Sequence, residues 1–340
     1  MVEKFGITDK GENVDKITLF DEEGNSVSIL NYGATIQSIV IDNTDVVLGY
    51  DSLEEYETNS GYLGATIGRC ANRIKNASFS ISGKTYNLSI NRQNLHIHGG
   101  FVGFDKKIWS YNEIDSGVTM SLFSPDGDEG YPGNLKTDVT FIFTHRCLSI
   151  KYDAVADKKT LINLTNHSYF NLDGYGTILD HTLQINSSRI AAIDQSGIVS
   201  SGFINIENTA FDFRTPQKIG LNINKSDQLL KQANGYDHNY IIDGEEPSFQ
   251  HVATLFAGKN DLKMDVFTNM DAVVVYSGNH LNTNSGKNKR GYNKNDGICF
   301  ETQYVANAVN VEGFRKPLFD KNQHFINRTE FRFSKQKEGK

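Results

Sequence analysis

Leu161-Ile162-Asn163-Leu164-Thr165-Asn166-His167-Ser168-Tyr169-Phe170-Asn171-Leu172 lies near the middle of the chain. From Leu161 to Thr165 the side chains alternate between apolar and polar, the period of a β-strand. On that reading Asn163, Thr165, His167 and Tyr169 share one face, while Ile162, Leu164, Phe170 and Leu172 fall mainly on the other. A sheet would then hold a histidine still among hydrogen-bonding neighbours. Neutral imidazole, with an ordinary pKa near ~6.5, gives or takes a proton at neutral pH. The plain alternative is a half-exposed strand histidine with no chemical task.

Outward from this stretch the same pattern recurs. Ile17 to Phe20 and Val27 to Leu30 flank Asp21-Glu22-Glu23-Gly24-Asn25 and read as a hairpin, followed by a strand from Thr35 to Ile41. Ala77 to Ile90 reads as two strands around the turn Ser82-Gly83-Lys84, and further strands run over Val118 to Phe123, Leu135 to Phe143 and Leu148 to Ala156. Helical signals are confined to Leu53 to Tyr56 and Ser226 to Asn234, where Ser226 could cap the start and Gly235 end the turn. Such short strands at close spacing predict an all-β fold, sandwich or barrel. The chain shows no break in composition and no repeat, so residues 1–340 read as a single domain. The stretch from Asn282 to Asp296, rich in asparagine, glycine and lysine, reads as a mobile loop.

Composition excludes several classes of function. With 34 basic and 41 acidic residues the formal charge is -7, and no basic cluster stands out, so neither nucleic acid nor an anionic membrane is an expected partner. No segment has the ~18 apolar residues of a membrane span, and residues 1–15 lack the apolar core of a signal peptide; a cytoplasmic location is expected. Cys70, Cys147 and Cys299 are odd in number and far apart, which fits neither a disulfide framework nor a thiolate zinc site.

Four further stretches carry chemistry. In Gly297-Ile298-Cys299-Phe300-Glu301-Thr302-Gln303, alternation sends Ile298 and Phe300 one way and Cys299, Glu301 and Gln303 the other. A glutamate among apolar neighbours has a raised pKa, because desolvation disfavours its charge; on an exposed strand it would be ordinary. His96 and His98, in Asn94-Leu95-His96-Ile97-His98-Gly99-Gly100, would project from one strand face and could join His167 or Glu301 around a metal. No motif such as H-E-x-x-H accompanies them, and no metal is expected. Gly68-Arg69-Cys70-Ala71-Asn72-Arg73-Ile74 offers two guanidinium groups and an amide, for a sugar hydroxyl or a carboxylate, or for a surface pair with Glu54 or Glu55. Asp237, in Gly235-Tyr236-Asp237-His238-Asn239, opens a strand beside an aromatic. The 15 tyrosines and 21 phenylalanines are enough to floor a sugar site as well as a core.

Taken together, these stretches resemble the aldose 1-epimerase (galactose mutarotase) family. The matching runs occur in order: Gly64 to Ile74, Ile97-His98-Gly99-Gly100 with Gly103-Phe104-Asp105 and Trp109, Asp126 to Gly133, Asn163 to Leu172, Gly235 to His238, and Phe300-Glu301-Thr302-Gln303 with Ala308-Val309-Asn310. The resemblance covers nearly the whole chain. It implies a large single-domain β-sandwich with few short helices and an active site in an open cleft on one sheet. It also implies Glu301 as general base toward the anomeric hydroxyl, His167 as general acid toward the ring oxygen, and His98 assisting. Asn72, Arg73, Tyr169 and Asp237 would hold the other hydroxyls.

Where eukaryotic relatives carry a sugar-contacting glutamine, this chain has Val274, so that contact is not implied. The implied substrate is a free aldohexose such as galactose or glucose, with no cofactor, and the working unit a monomer or homodimer. Three other readings compete: a relative acting on hexose 6-phosphates through Arg69 or Arg92, a non-catalytic sugar-binding module, and glycoside cleavage by Asp237 and Glu301.

Overall fold

The strand Leu135–Thr144 shows how the fold is specified: Leu135, Thr137, Val139, Phe141 and Phe143 are buried, and Lys136, Asp138 and Ile142 between them are exposed. This half-buried alternation suits a strand with one face on a core. It pairs antiparallel with Cys147–Ala156, Phe141 opposite Ile150. In the computed structural model, which describes residues 1–58, 61–244 and 248–336, this pair belongs to a nine-stranded sheet. Its order is Ser110–Ile114, Gly117–Ser124, Leu135–Thr144, Cys147–Ala156, His324–Lys335, Leu262–Thr268, Gln250–Phe256, Thr182–Ile185 and Gln217–Lys218. A six-stranded sheet runs Tyr169–Phe170, Ile298–Gln303, Ala272–Tyr276, Asp237–Ile241, Arg189–Ile193 and Val199–Asn205. A five-stranded sheet is built from the first five strands, Val2–Ile7 through Thr44–Asp45.

One apolar cluster joins the three sheets. It takes Phe141, Ile150, Val266 and Phe331 from the first, Tyr240, Val273, Val275, Ile298 and Phe300 from the second, and Ile17, Val27, Ile36 and Ile39 from the third. Each such side chain contributes roughly 1.5–3 kcal/mol on burial. Phe170 packs its ring 4.8 Å from that of Phe331, tying the short edge strand of the six-stranded sheet to the nine-stranded one. The all-β class and the sandwich architecture follow the expectation, with two short α-helices among the described residues, Leu53–Thr58 and Gln228–Ala233.

The hairpins over 17–30 and 77–90 fall where the turn chemistry places them. Three other expectations need correction. Residues 161–172 are not one strand: Thr160–Leu161, Thr165–Asn166 and Tyr169–Phe170 pair with three separate partners, and residues 160–173 are all buried. The asparagines break the ladder by bonding to backbone elsewhere: Asn163 Oδ1 accepts from Tyr304 N–H, and Asn166 Nδ2 donates to the Gly64 carbonyl. The second helix is capped by Asp227, not Ser226, because its carboxylate accepts from the Leu229 and Leu230 N–H groups. Val2–Ile7, which lacks a regular apolar–polar alternation, is in addition an edge strand on Asn13–Phe20.

The loop from Asn282 to Asp296 is anchored. Tyr292 is buried and its hydroxyl donates to the Gly49 carbonyl, while Lys287 Nζ lies 2.6 Å from Asp45 and 3.0 Å from the Val47 carbonyl. Its polar composition concealed one aromatic and one ammonium that do the anchoring. No helix among the described residues is long and apolar enough to cross a membrane.

Candidate active site

The strand Ile298–Gln303 is buried on both faces. Ile298 and Phe300 enter the main core, as alternation requires, and the other two turn the opposite way, Cys299 into a second apolar cluster and Glu301 into a cleft of about 360 Å³. All seven expected residues, Asn72, Arg73, His98, His167, Tyr169, Asp237 and Glu301, line it.

Local backbone geometry delivers two of them. Asn72 (φ 62°) and His98 (φ 50°) both adopt the left-handed conformation at the ends of the paired strands Arg73–Lys75 and Leu95–Ile97. The two residues then hold each other: Asn72 N–H donates to His98 Nδ1 (3.2 Å), and His98 N–H donates to the Asn72 carbonyl (3.1 Å). Gly99 makes this possible, since a Cβ there would lie 1.8 Å from the Gly68 carbonyl oxygen. His96 and His98 therefore do not share a face. Alternation stops at Ile97, and the buried His96 ring bonds to the Ser89 carbonyl and the Tyr131 hydroxyl instead.

His167 and Glu301 meet inside the cleft, Nε2 to Oε1, at 3.7 Å. His167 N–H donates to the Ala65 carbonyl (2.9 Å), fixing its backbone, and its ring packs 5.2 Å from that of His98 and 5.1 Å from that of Tyr169. The Tyr169 hydroxyl donates to the Gly61 carbonyl (2.9 Å), so the ring is held edge and tip. On the other side of the cleft, Arg73 Nη2 lies 3.1 Å from Asp237 Oδ2, and Arg73 Nη1 donates to Asn72 Oδ1 (3.4 Å). Glu301 Oε2 is buried with no hydrogen-bond partner. A buried carboxyl oxygen without a partner is costly unless something else binds it.

Desolvation governs the protonation of the pair. Burial pushes the Glu301 carboxyl up to about 8, helped by the Asp237 charge and opposed by Arg73. It pushes the His167 imidazole down to about 4. Between these values the two groups together carry one exchangeable proton, on Glu301. His98 is held well below the usual histidine range by burial, then by His167 and Arg73. Asp237 keeps Arg73 charged by raising its pKa. Donor atoms of His98, His167 and Glu301 all lie within 4.8 Å of one another, as close as a metal site needs. A carboxyl that keeps its proton up to about pH 8, and a His98 whose Nδ1 accepts the Asn72 N–H and so carries its hydrogen on Nε2, suit the set better to passing protons.

Arg69 is not in the cleft. It is buried and clamps the turn 124–133, donating to the Ser124 hydroxyl and carbonyl and to the carbonyls of Pro125, Pro132 and Gly133. It neither pairs with Glu54 or Glu55 nor reaches a sugar phosphate, whereas Arg92 does line the cleft. Tyr62, whose ring stands 4.7 Å from that of His98, and Tyr276, 6.3 Å from His167, also line it and were not singled out. Tyr276 could have been found from the run Tyr276-Ser277-Gly278-Asn279; nothing local marks Tyr62 among the chain's other tyrosines.

The aldose 1-epimerase family model matches residues 15–332. The chain is 37% identical to galactose mutarotase of Bos taurus over 316 residues, 91% of each chain. It is 37% identical to aldose 1-epimerase of Haemophilus influenzae over 304 residues, 86% of this chain and 87% of that one. Among solved structures it resembles galactose 1-epimerase from Lactobacillus acidophilus, with a TM-score of 0.88 at 32% identity, covering 99% of this chain and 98% of that one. With an all-β sandwich, a carboxyl–imidazole pair in its cleft and a match over nearly its full length, the chain belongs to the aldose 1-epimerase family.

Proposed function

We propose that the chain is a mutarotase that interconverts the α and β anomers of free aldohexoses such as galactose and glucose, with Glu301 and His167 exchanging protons with the two anomeric oxygens. The observation that carries this reading is the 3.7 Å approach of His167 Nε2 to Glu301 Oε1 within a cleft lined by hydrogen-bonding groups.

The proposed reaction needs one proton off the O1 hydroxyl and one onto O5. Glu301 takes the first and His167 gives the second; the C1–O5 bond breaks as C1 becomes the aldehyde carbon. Rotation about C1–C2 presents the other carbonyl face, and ring closure returns both protons. The cycle starts with the proton on His167 and reaches the open chain with it on Glu301 and both groups neutral. That second state is the one desolvation favours here, so the cleft's electrostatics lean toward the ring-opened intermediate. Sugar hydroxyls donating to the partnerless Oε2 would restore part of the lost hydration and let the carboxylate form first. Each positioned acid or base contributes roughly 10²–10⁴-fold.

In this reading His98 supports the reacting centre, while Asn72, Arg73, Tyr169 and Asp237 hold the remaining hydroxyls or the groups that do. No cofactor or metal takes part. The chain works as a single unit, a monomer or homodimer in the cytoplasm. Polarimetry tests the reading: freshly dissolved α-glucose and α-galactose should relax faster with the purified protein, and relaxation at the uncatalysed rate would refute it. Glucose 6-phosphate belongs in the same experiment, because Arg92 lines the cleft; a higher rate on it than on glucose would move the substrate to the phosphorylated sugars.

A further inference from the structure

Cys299 and Glu301 stand two residues apart on the same face of Ile298–Gln303, so one strand presents a group to each nitrogen of the His167 ring. Glu301 Oε1 is 3.7 Å from Nε2, and Cys299 Sγ is 3.6 Å from Nδ1. Both partners and the ring are buried.

A neutral imidazole that accepts a proton at Nε2 must carry its hydrogen on Nδ1; in the other tautomer Nε2 has no lone pair to offer. The hydrogen-bond partner of the far nitrogen decides which tautomer is present. We propose that Cys299 is a positioning residue for His167: its sulfur accepts the Nδ1–H, fixing the ring and leaving Nε2 as the nitrogen that trades protons with the sugar. This inference rests on the acid–base reading of the cleft.

Two observations support it. Glu301 Oε1 stands on the Nε2 side of the ring, so a carboxyl proton turned toward His167 would meet the Nε2 lone pair that the Nδ1–H tautomer leaves free. The Nδ1 side meets Cys299 Sγ within an apolar cluster that also holds Leu48, Tyr169 and Leu281, where an N–H left without an acceptor would be costly. Burial keeps the thiol uncharged, pushing it well above its ordinary range. An uncharged, polarisable sulfur orients the ring without the strong preference for imidazolium that a carboxylate would impose. The proton at Nε2 therefore stays exchangeable.

Nitrogen-15 NMR of histidine-labelled protein at pH 7 reads the tautomer directly, with the His167 signals assigned by their loss in His167→Asn. Wild-type protein should show protonated Nδ1 and bare Nε2. Cys299→Ala should populate the Nε2–H tautomer and lower kcat about ten- to a hundredfold with little change in KM, the range seen when an orienting partner of a functional histidine is removed. Cys299→Ser, whose hydroxyl accepts the same hydrogen, should keep the wild-type tautomer and recover most of kcat.

A wild-type ring protonated at Nε2, or unchanged His167 shifts in Cys299→Ala, would overturn the proposal. Should wild-type protein fail to speed mutarotation, the acid–base reading falls, while the shifts still decide whether sulfur holds Nδ1–H.

Discussion

Val274 sits directly opposite Glu301 across the antiparallel strands Ala272–Tyr276 and Ile298–Gln303, so its isopropyl group shares the face on which the carboxyl stands. It is fully buried and offers no hydrogen bond. Val274→Gln would place an amide donor beside the partnerless Oε2 and return the Glu301 pKa toward the ordinary carboxylate range. The basic limb of the pH–rate profile should move to lower pH in this variant; an unmoved limb would show that Val274 does not set the acidity of Glu301.

Removing either member of the proton-passing pair leaves the cleft shape nearly unchanged. Glu301→Gln and His167→Asn should each lose at least about two orders of magnitude in polarimetric rate. A near-wild-type rate in either variant would take that residue out of the reaction.

The rate should depend on pH as a bell. With Glu301 at about 8 and His167 at about 4, the pair holds the single proton the reaction needs only between those values. Below about 4 it gains a second and has no base; above about 8 it has no acid. A profile still rising at pH 9.5 would contradict this assignment.

The same carboxyl links folding to pH. Its folded pKa of about 8 exceeds the ordinary value of 4.5, so the stability it contributes is full below about 4.5 and is lost as pH rises through about 8. Glu301→Gln carries no such penalty. Relative to wild type, its unfolding free energy should rise by on the order of 2–4 kcal/mol between pH 4.5 and 9. Parallel denaturant titrations at the two pH values measure the difference.

Arg69 should matter for folding and not for chemistry. Arg69→Met strands one hydroxyl and four carbonyls that the guanidinium now satisfies, at a cost of about 3–5 kcal/mol. Lysine, with one compact ammonium, cannot reach them all. Both variants should unfold at lower denaturant while the folded fraction keeps its KM and kcat.

Much of the fold could be read from local pattern because its causes are local. The alternation of Leu135–Thr144 and the turn Ser82-Gly83-Lys84 need only near neighbours to specify a strand or a hairpin. Val2–Ile7 carries no such signal for the converse reason: it is a largely exposed edge strand in which apolar Val2, Phe5 and Ile7 do not alternate regularly with the other residues. Residues 161–172 do not form the one strand their alternation suggests because their asparagines bond to carbonyls and N–H groups that are distant in sequence.

The sequence by itself determined the all-β class, the facing of Glu301 away from the core, and, through its ordered motifs, the seven side chains that share the cleft. Only the tertiary structure decided that His96 and His98 do not share a face, since a left-handed residue at 98 interrupts strand alternation. It alone decided that Arg69 is a buried clamp and Arg73 the partner of Asp237. It also placed a thiol and a carboxyl on either side of one imidazole. Position along a strand fixes which way a side chain points, but desolvation and hydrogen-bond partners depend on what other strands bring to meet it.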